Sequence, residues 1–307
     1  MSKILSIALN PAIDISSDAD EVRHTHKTRT HNQRQHAGGG GINVARIIVE
    51  LGGRCELLYL SGGATGELLE TMLRPLGIRQ HVMKIHDPVR VAYNVHELST
   101  NLEYRFVPEG PLVSEAELAP VFDLLETTDA DYIVASGSLP RGVPMDTYLR
   151  MAEIAQRKGQ RFVLDTSGDA LRETLASCHV FLVKPSLGEL EGLVGRKLDH
   201  ESVGPAAQEV IHRGAAQYIA VTLGADGAVL VSADSITRVP AIKVTVQSAV
   251  GAGDSFVAGM TWSLSEGRDI VDAFRLGMAA GAAAVMTSGT ELCRQADILG
   301  LYDAHRG

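Results

Sequence analysis

The chain has 307 residues, 45% of them hydrophobic and 21% charged, which is enough apolar content for a sizeable core and too much for a disordered chain. The formal net charge of −9 at pH 7 excludes a general nucleic-acid partner, because its phosphates would be repelled by an acidic surface. The three cysteines, Cys55, Cys178 and Cys293, form no CxxC pair, which argues against a zinc site and predicts a reducing, cytoplasmic setting.

In chain order, the apolar run at 4–9 stops at Asn10 and Pro11, too short for a signal peptide or a membrane span, so no membrane partner is expected. It reads as the first of a series of apolar strands, with others at 56–60, 132–135, 162–164, 181–183, 219–222 and 228–231. Helix-length patterns lie between them at 42–51, 67–76, 145–157 and 205–212, and the Ala- and Gly-rich stretch 277–287 reads as a buried helix. Apolar strands alternating with helices predict an α/β fold with a mainly parallel central sheet, helices on both faces. Ligands in such sheets collect beyond the carboxyl ends of the strands, here at Ser136-Gly137-Ser138, Asp165-Thr166 and Thr222-Leu223-Gly224.

Two tracts break the alternation. Residues 15–36 are polar and lack a helical stripe, while 90–107 alternates like antiparallel strands with Asn101 near the turn. Together they predict a small β-sheet lid on a single domain spanning 1–307. Val91, Tyr93 and Val95 would form an apolar lid face, which predicts a homodimer built through paired lids. The lid tracts also hold Lys27, Arg29, Arg90 and Arg105, cations suited to a dianionic ligand or simply to solvent. His24, His26, His31 and His36 show no i,i+4 ligand spacing.

Three motifs carry chemistry. Gly38 to Gly41 run into a helix start at Ile42-Asn43, a loop whose amides a ligand can approach, though it matches neither the dinucleotide nor the P-loop pattern. Gly251-Ala252-Gly253-Asp254 enters another helix; the small residues expose amides for a transferring phosphoryl group, and Asp254 is placed either as a general base or as an ordinary helix cap. Lys184-Pro185-Ser186 with Glu189 follows a strand, where Lys184 would meet phosphate and Glu189 would hold Mg²⁺ through water, unless both are plain surface choices.

These motifs occur in one order with Asn10-Pro11-Ala12-Ile13-Asp14, Gly62-Gly63-Ala64-Thr65-Gly66, Ser136-Gly137-Ser138-Leu139-Pro140, Asp165-Thr166-Ser167-Gly168 and Thr222-Leu223-Gly224-Ala225-Asp226-Gly227. In that order the chain resembles the ribokinase-like (PfkB) carbohydrate kinases over nearly its whole length, most closely the branch that phosphorylates fructose 6-phosphate. The resemblance implies ATP-dependent phosphorylation of a hexose phosphate, with fructose 6-phosphate ahead of fructose 1-phosphate and tagatose 6-phosphate, and with a non-catalytic sugar-phosphate-binding protein as the remaining alternative. It implies that Asp14, Gly39, Gly40, Asn43 and Ser138 bind the sugar, with Arg90 and Arg105 toward its phosphate and Lys27 and Arg29 reaching from a neighbouring lid. Asp254 would be the base, and Gly251, Ala252 and Gly253 the anion hole. Lys184, Ser186, Thr222, Gly224, Gly227, Met278 and Ala282 would hold ATP, and Glu189 would orient hydrated Mg²⁺. A K⁺ site would form from Ser248, Val250, Ala284, Thr287 and Gly289. Three positions depart from the family pattern: Ser186 replaces an Asn, Ala249 a Thr, and Glu291 an Arg.

Overall fold

The computed structural model describes residues 2–305. Strand β1 (Ile4–Ala8) leads through Asn10 and Pro11 into β2 (Ala12–Ala19), and an exposed loop then reaches β3 (Thr30–Gly38) and helix α1 (Gly40–Glu50). Next come β4 (Cys55–Ser61), α2 (Gly63–Leu73), β5 (Arg79–Lys84) and the hairpin of β6 (Arg90–Glu97) and β7 (Leu102–Phe106). Helices and strands then alternate through α3 (Glu115–Thr127), β8 (Tyr132–Ser136), α4 (Thr147–Arg157), β9 (Arg161–Asp165), α5 (Gly168–Ser177) and β10 (Val180–Val183). Two helices, α6 (Leu187–Val194) and α7 (Val203–His212), precede β11 (Ala216–Thr222) and the pair β12 (Ala228–Val231) and β13 (Ile236–Val239). Helices α8 (Ala252–Ser265), α9 (Ile270–Val285) and α10 (Gln295–His305) follow.

The main sheet has nine strands in the order β13-β12-β11-β10-β9-β8-β1-β4-β5, parallel from β5 to β11 and antiparallel beyond. Alternate residues of β1 face opposite ways. Ile4 and Ala8 join a core with α1, α8 and α9, while Leu5 and Ile7 join one beneath α3, α4, α5 and α7. Burial on both faces is why the inner strands read as unbroken apolar runs. The strand order reverses on either side of β1, so the crevice beyond its carboxyl end is where an open α/β sheet accepts a ligand.

A second, four-stranded sheet in the order β3-β2-β6-β7 stands over that crevice. The lid expected from 15–36 and 90–107 is this sheet, with β2 starting earlier, at Ala12, and β2 running parallel to β6. The apolar lid face differs in detail from the expectation: Val91 packs against the main core, Val95 is half-buried, and Tyr93, Leu102 and Phe106, 48%, 56% and 60% exposed, stand open. Edge strands β5 and β13 were not legible, because half-exposed positions interrupt their apolar pattern. All three cysteines are buried and free, and among the described residues no helix is long and apolar enough to cross a membrane.

Candidate active site

Asp254 lies in the first turn of α8, and its Oδ2 accepts a 2.8 Å hydrogen bond from Asn43 Nδ2 on α1. Two glycine-started helices therefore meet at one carboxylate. Gly39 makes this possible: its φ of 104° suits glycine, and a Cβ there would come 2.9 Å from Pro11 Cα. At the other helix Gly251 turns the chain with φ 74°. Among the described residues no acceptor takes the N–H groups of Ala252, Gly253 or Asp254, so they are free at the positive end of α8.

Asp254 opens on a cavity of about 190 Å³ shared with Asp14, Gly39, Gly40, Asn43, Arg90, Arg105 and Gly251. The cavity floor comes from the main body and its roof from the lid, through Asp14, Ala92, Asn94 and Arg105. Burial pushes the carboxyl of Asp254 above its ordinary range, only partly countered by the Asn43 hydrogen bond and the Lys184 charge. Burial likewise raises Asp14, against the pull of Arg90 and Arg105. Arg90 is pinned by hydrogen bonds to the carbonyls of Pro108 and Asn10, each 2.9 Å, which leaves its buried Nε unpartnered among the described residues. An orphaned guanidinium N–H beside this cavity suits an anionic ligand group.

One residue of this site had been given no role. Asp165, at the carboxyl end of β9, pairs with Lys184 Nζ at 3.1 Å, both nearly buried. Burial pushes the Asp165 carboxyl up to about 6, with Lys184 drawing it back and Asp254 adding to the rise. Burial opposes the Lys184 charge, but Asp165 more than restores it, so the lysine stays an ammonium beside Gly253. The strand-end Leu164-Asp165-Thr166 was the available signal.

Other predicted residues are dispersed. Ser138 is exposed and accepts from Asn10 Nδ2 at 3.1 Å, outside the residues lining the cavity. Lys27 and Arg29 sit on the exposed loop between β2 and β3, also away from the cavity of their own chain. Ser186 and Glu189 form a capping box at the start of α6, in which Glu189 Oε2 accepts from Ser186 N at 2.7 Å and Ser186 Oγ accepts from Glu189 N. Ser186 is joined to Thr222 by a bridge, so Lys184, Ser186 and the turn holding Gly224 and Gly227 share one rim of the sheet. Met278 is buried on α9, with Ala282 on its following turn.

Cofactor fit can be judged from donor atoms. Glu189 keeps one carboxylate oxygen outside its capping box, which suits contact with a hydrated divalent ion. The loops around Ser248, Val250 and Gly289 offer backbone carbonyls with no protein donor among the described residues, a fit for a large monovalent cation. The Ala284 carbonyl is less open, since it accepts from both Thr287 N and Thr287 Oγ1. Glu291, one of the departures, pairs with Arg34 of β3 at 3.2 Å.

A carboxylate in a crevice, free amides at a helix start and a cationic lid are equipment that suits phosphoryl transfer to a hydroxyl acceptor. The chain belongs to the pfkB family of carbohydrate kinases, whose model matches residues 1–297. It is similar to ATP-dependent 6-phosphofructokinase isozyme 2 of Mycobacterium tuberculosis, with 42% identity over 300 residues, 96% of this chain and 88% of that protein. Among solved structures, phosphofructokinase-2 from Escherichia coli in complex with potassium matches with a TM-score of 0.95 at 35% identity, over 100% of both chains. The same enzyme in complex with fructose-6-phosphate matches with a TM-score of 0.94 at 34% identity, again over 100% of both chains.

Proposed function

We propose that this protein transfers the γ-phosphoryl group of ATP to the 1-hydroxyl of fructose 6-phosphate, giving fructose 1,6-bisphosphate. The observation that carries this reading is the Asp254 carboxylate facing a cavity that also holds Asp14, Arg90 and Arg105, beside amides with no partner. Asp254 takes the proton from the acceptor hydroxyl as that oxygen attacks. The N–H groups of Gly251, Ala252 and Gly253 stabilise the charge that develops on the migrating group, and Asn43 keeps the carboxylate aimed. Asp14, Gly39, Gly40, Asn43 and Ser138 hold the sugar hydroxyls, and Arg90 and Arg105 meet its phosphate. Lys27 and Arg29 add charge from the lid of a second copy.

ATP lies along Lys184, Ser186, Thr222, Gly224, Gly227, Met278 and Ala282. Glu189 would hold Mg²⁺ through water, and the ion would supply neutralisation of phosphate charge; Ser248, Val250, Thr287 and Gly289, with the less open Ala284, would hold K⁺ beside the loop before the anion hole. The 1–307 chain acts as one kinase domain with the lid as its cover, in the cytoplasm, as a dimer through lids whose Tyr93 and Phe106 stand exposed. ADP release with ATP, Mg²⁺ and K⁺ over a panel of acceptors tests the reading. Fructose 6-phosphate is expected to give the highest kcat/KM; preference for fructose 1-phosphate or tagatose 6-phosphate would move the acceptor, and no turnover with any sugar phosphate would overturn it.

A further inference from the structure

Glu103 on β7 is the lid's link to the loop that feeds the anion hole. Its Oε1 accepts from Asn94 Nδ2 at 3.2 Å, and its Oε2 accepts from Ser248 Oγ at 3.3 Å. Asn94 lines the cavity together with Asp14 and Arg105. Ser248 is only 3% exposed, and its Oγ accepts in turn from Val250 N at 3.3 Å. Val250 lines the same cavity and is followed by Gly251, the turn from which α8 and Asp254 start. A continuous path of hydrogen bonds thus runs from a lid side chain at the acceptor cavity to the peptide just before the free amides. A carboxylate suits this place because both of its neighbours are donors, and its two oxygens satisfy both with charge-assisted bonds.

We propose that Glu103 is a positioning residue through which seating of the acceptor under the lid sets the 248–251 loop for phosphoryl transfer. The proposal deepens the kinase reading above and rests on it. Glu103 touches no reacting atom; it holds Asn94 and Ser248 in one register, and therefore the lid and the Gly251 turn. An acceptor seated against Asn94 would hold the lid, and through Glu103 and Ser248 the loop, in the register the structure shows. An alternative role, as a plain surface contact that only steadies the lid, predicts no selective effect on turnover.

The glutamine variant separates the two. Glu103→Gln keeps shape but removes the charge: its amide oxygen can accept from Asn94 and its NH2 can donate to Ser248 Oγ, so both contacts survive only as weaker, neutral hydrogen bonds. The expected result is a fall in kcat of about tenfold, the rate equivalent of losing the charge from these hydrogen bonds in the transition state. The Kd for ATP by titration calorimetry and the thermal midpoint are expected to stay at the wild-type values. Ser248→Ala is expected to lower kcat similarly, and the double variant to fall no further than either single one, because both act on the same link. Glu103→Ala, which loses both contacts, should lower kcat at least as far. Unchanged kcat in Glu103→Gln, or losses that multiply in the double variant, would overturn the proposal while wild-type turnover of fructose 6-phosphate leaves the kinase reading intact. If the wild-type protein phosphorylates no sugar phosphate, both fall together.

Discussion

At the scale of single residues, the site consists of three partly buried carboxyls and one buried ammonium held in one place. Asp14, Asp165 and Asp254 each have a carboxyl that burial pushes upward, so each is more easily protonated than an exposed aspartate. Since the base must be ionised to act, kcat/KM is expected to fall as pH drops, with an acid limb above the ordinary aspartate value of about 3.9. The limb belongs to the coupled group of carboxyls rather than to Asp254 alone. A pH–rate profile whose acid limb falls at or below that ordinary value would contradict it. Asp165→Ala is expected to cost roughly 3–5 kcal/mol in urea unfolding, because it leaves the Lys184 ammonium buried without its partner. The carboxylate and the small residues before it were legible in the sequence as a helix start, although that pattern alone fits a helix cap as well as a base. Asp165 was legible only as a strand-end acid on the ligand rim; its pairing was not, because nothing local distinguishes an acid that meets a lysine from one that faces solvent. Ser186 shows the converse, as the Ser-x-x-Glu spacing of 186 and 189 fits a capping box and a metal-bound water equally, and geometry shows the capping box formed.

At the scale of elements, the core was easier to read than its margins. Inner strands such as β1 and β8 are buried on both faces and announce themselves as apolar runs, whereas β5 and β13 alternate irregularly at the edges. The Ala- and Gly-rich stretch proved to be the second half of α9, which lies closely against α8. A Cβ added at Gly277 would stand 2.6 Å from Met260 Cγ and 2.9 Å from Phe256 O, so small residues are what lets these helices approach. Gly277→Val is therefore expected to lose about 1–3 kcal/mol by overpacking, measured by denaturant titration. An unchanged midpoint would show that α8 and α9 have slack. The consequence reaches function, because α8 carries Asp254 at its first turn and any tilt of the helix moves the carboxylate.

At the scale of the whole molecule, a rigid two-faced sheet fixes one wall of the cavity and a thinner sheet supplies the other. The lid has little core of its own, and its outer residues Tyr93, Leu102 and Phe106 are exposed in the single chain. Pairing of two lids would cover them and bring Lys27 and Arg29 toward a neighbouring cavity, which their own chain does not do. Phe106→Asp is accordingly expected to shift sedimentation from dimer to monomer and to raise the KM for the sugar phosphate more than that for ATP. A wild-type monomer would contradict the pairing. The polar tract before β3 showed in advance that something other than a helix stood there; its strand partners depend on contacts distant in the chain.

Phosphoryl transfer by this chain depends on one carboxylate acting beside unpaired amides, and Asp254→Asn tests that most directly, because the amide keeps the shape and removes the base. The expected result is a loss of kcat of roughly 10²–10⁴-fold with the Kd for ATP close to wild type. Turnover near the wild-type rate in that variant would contradict it.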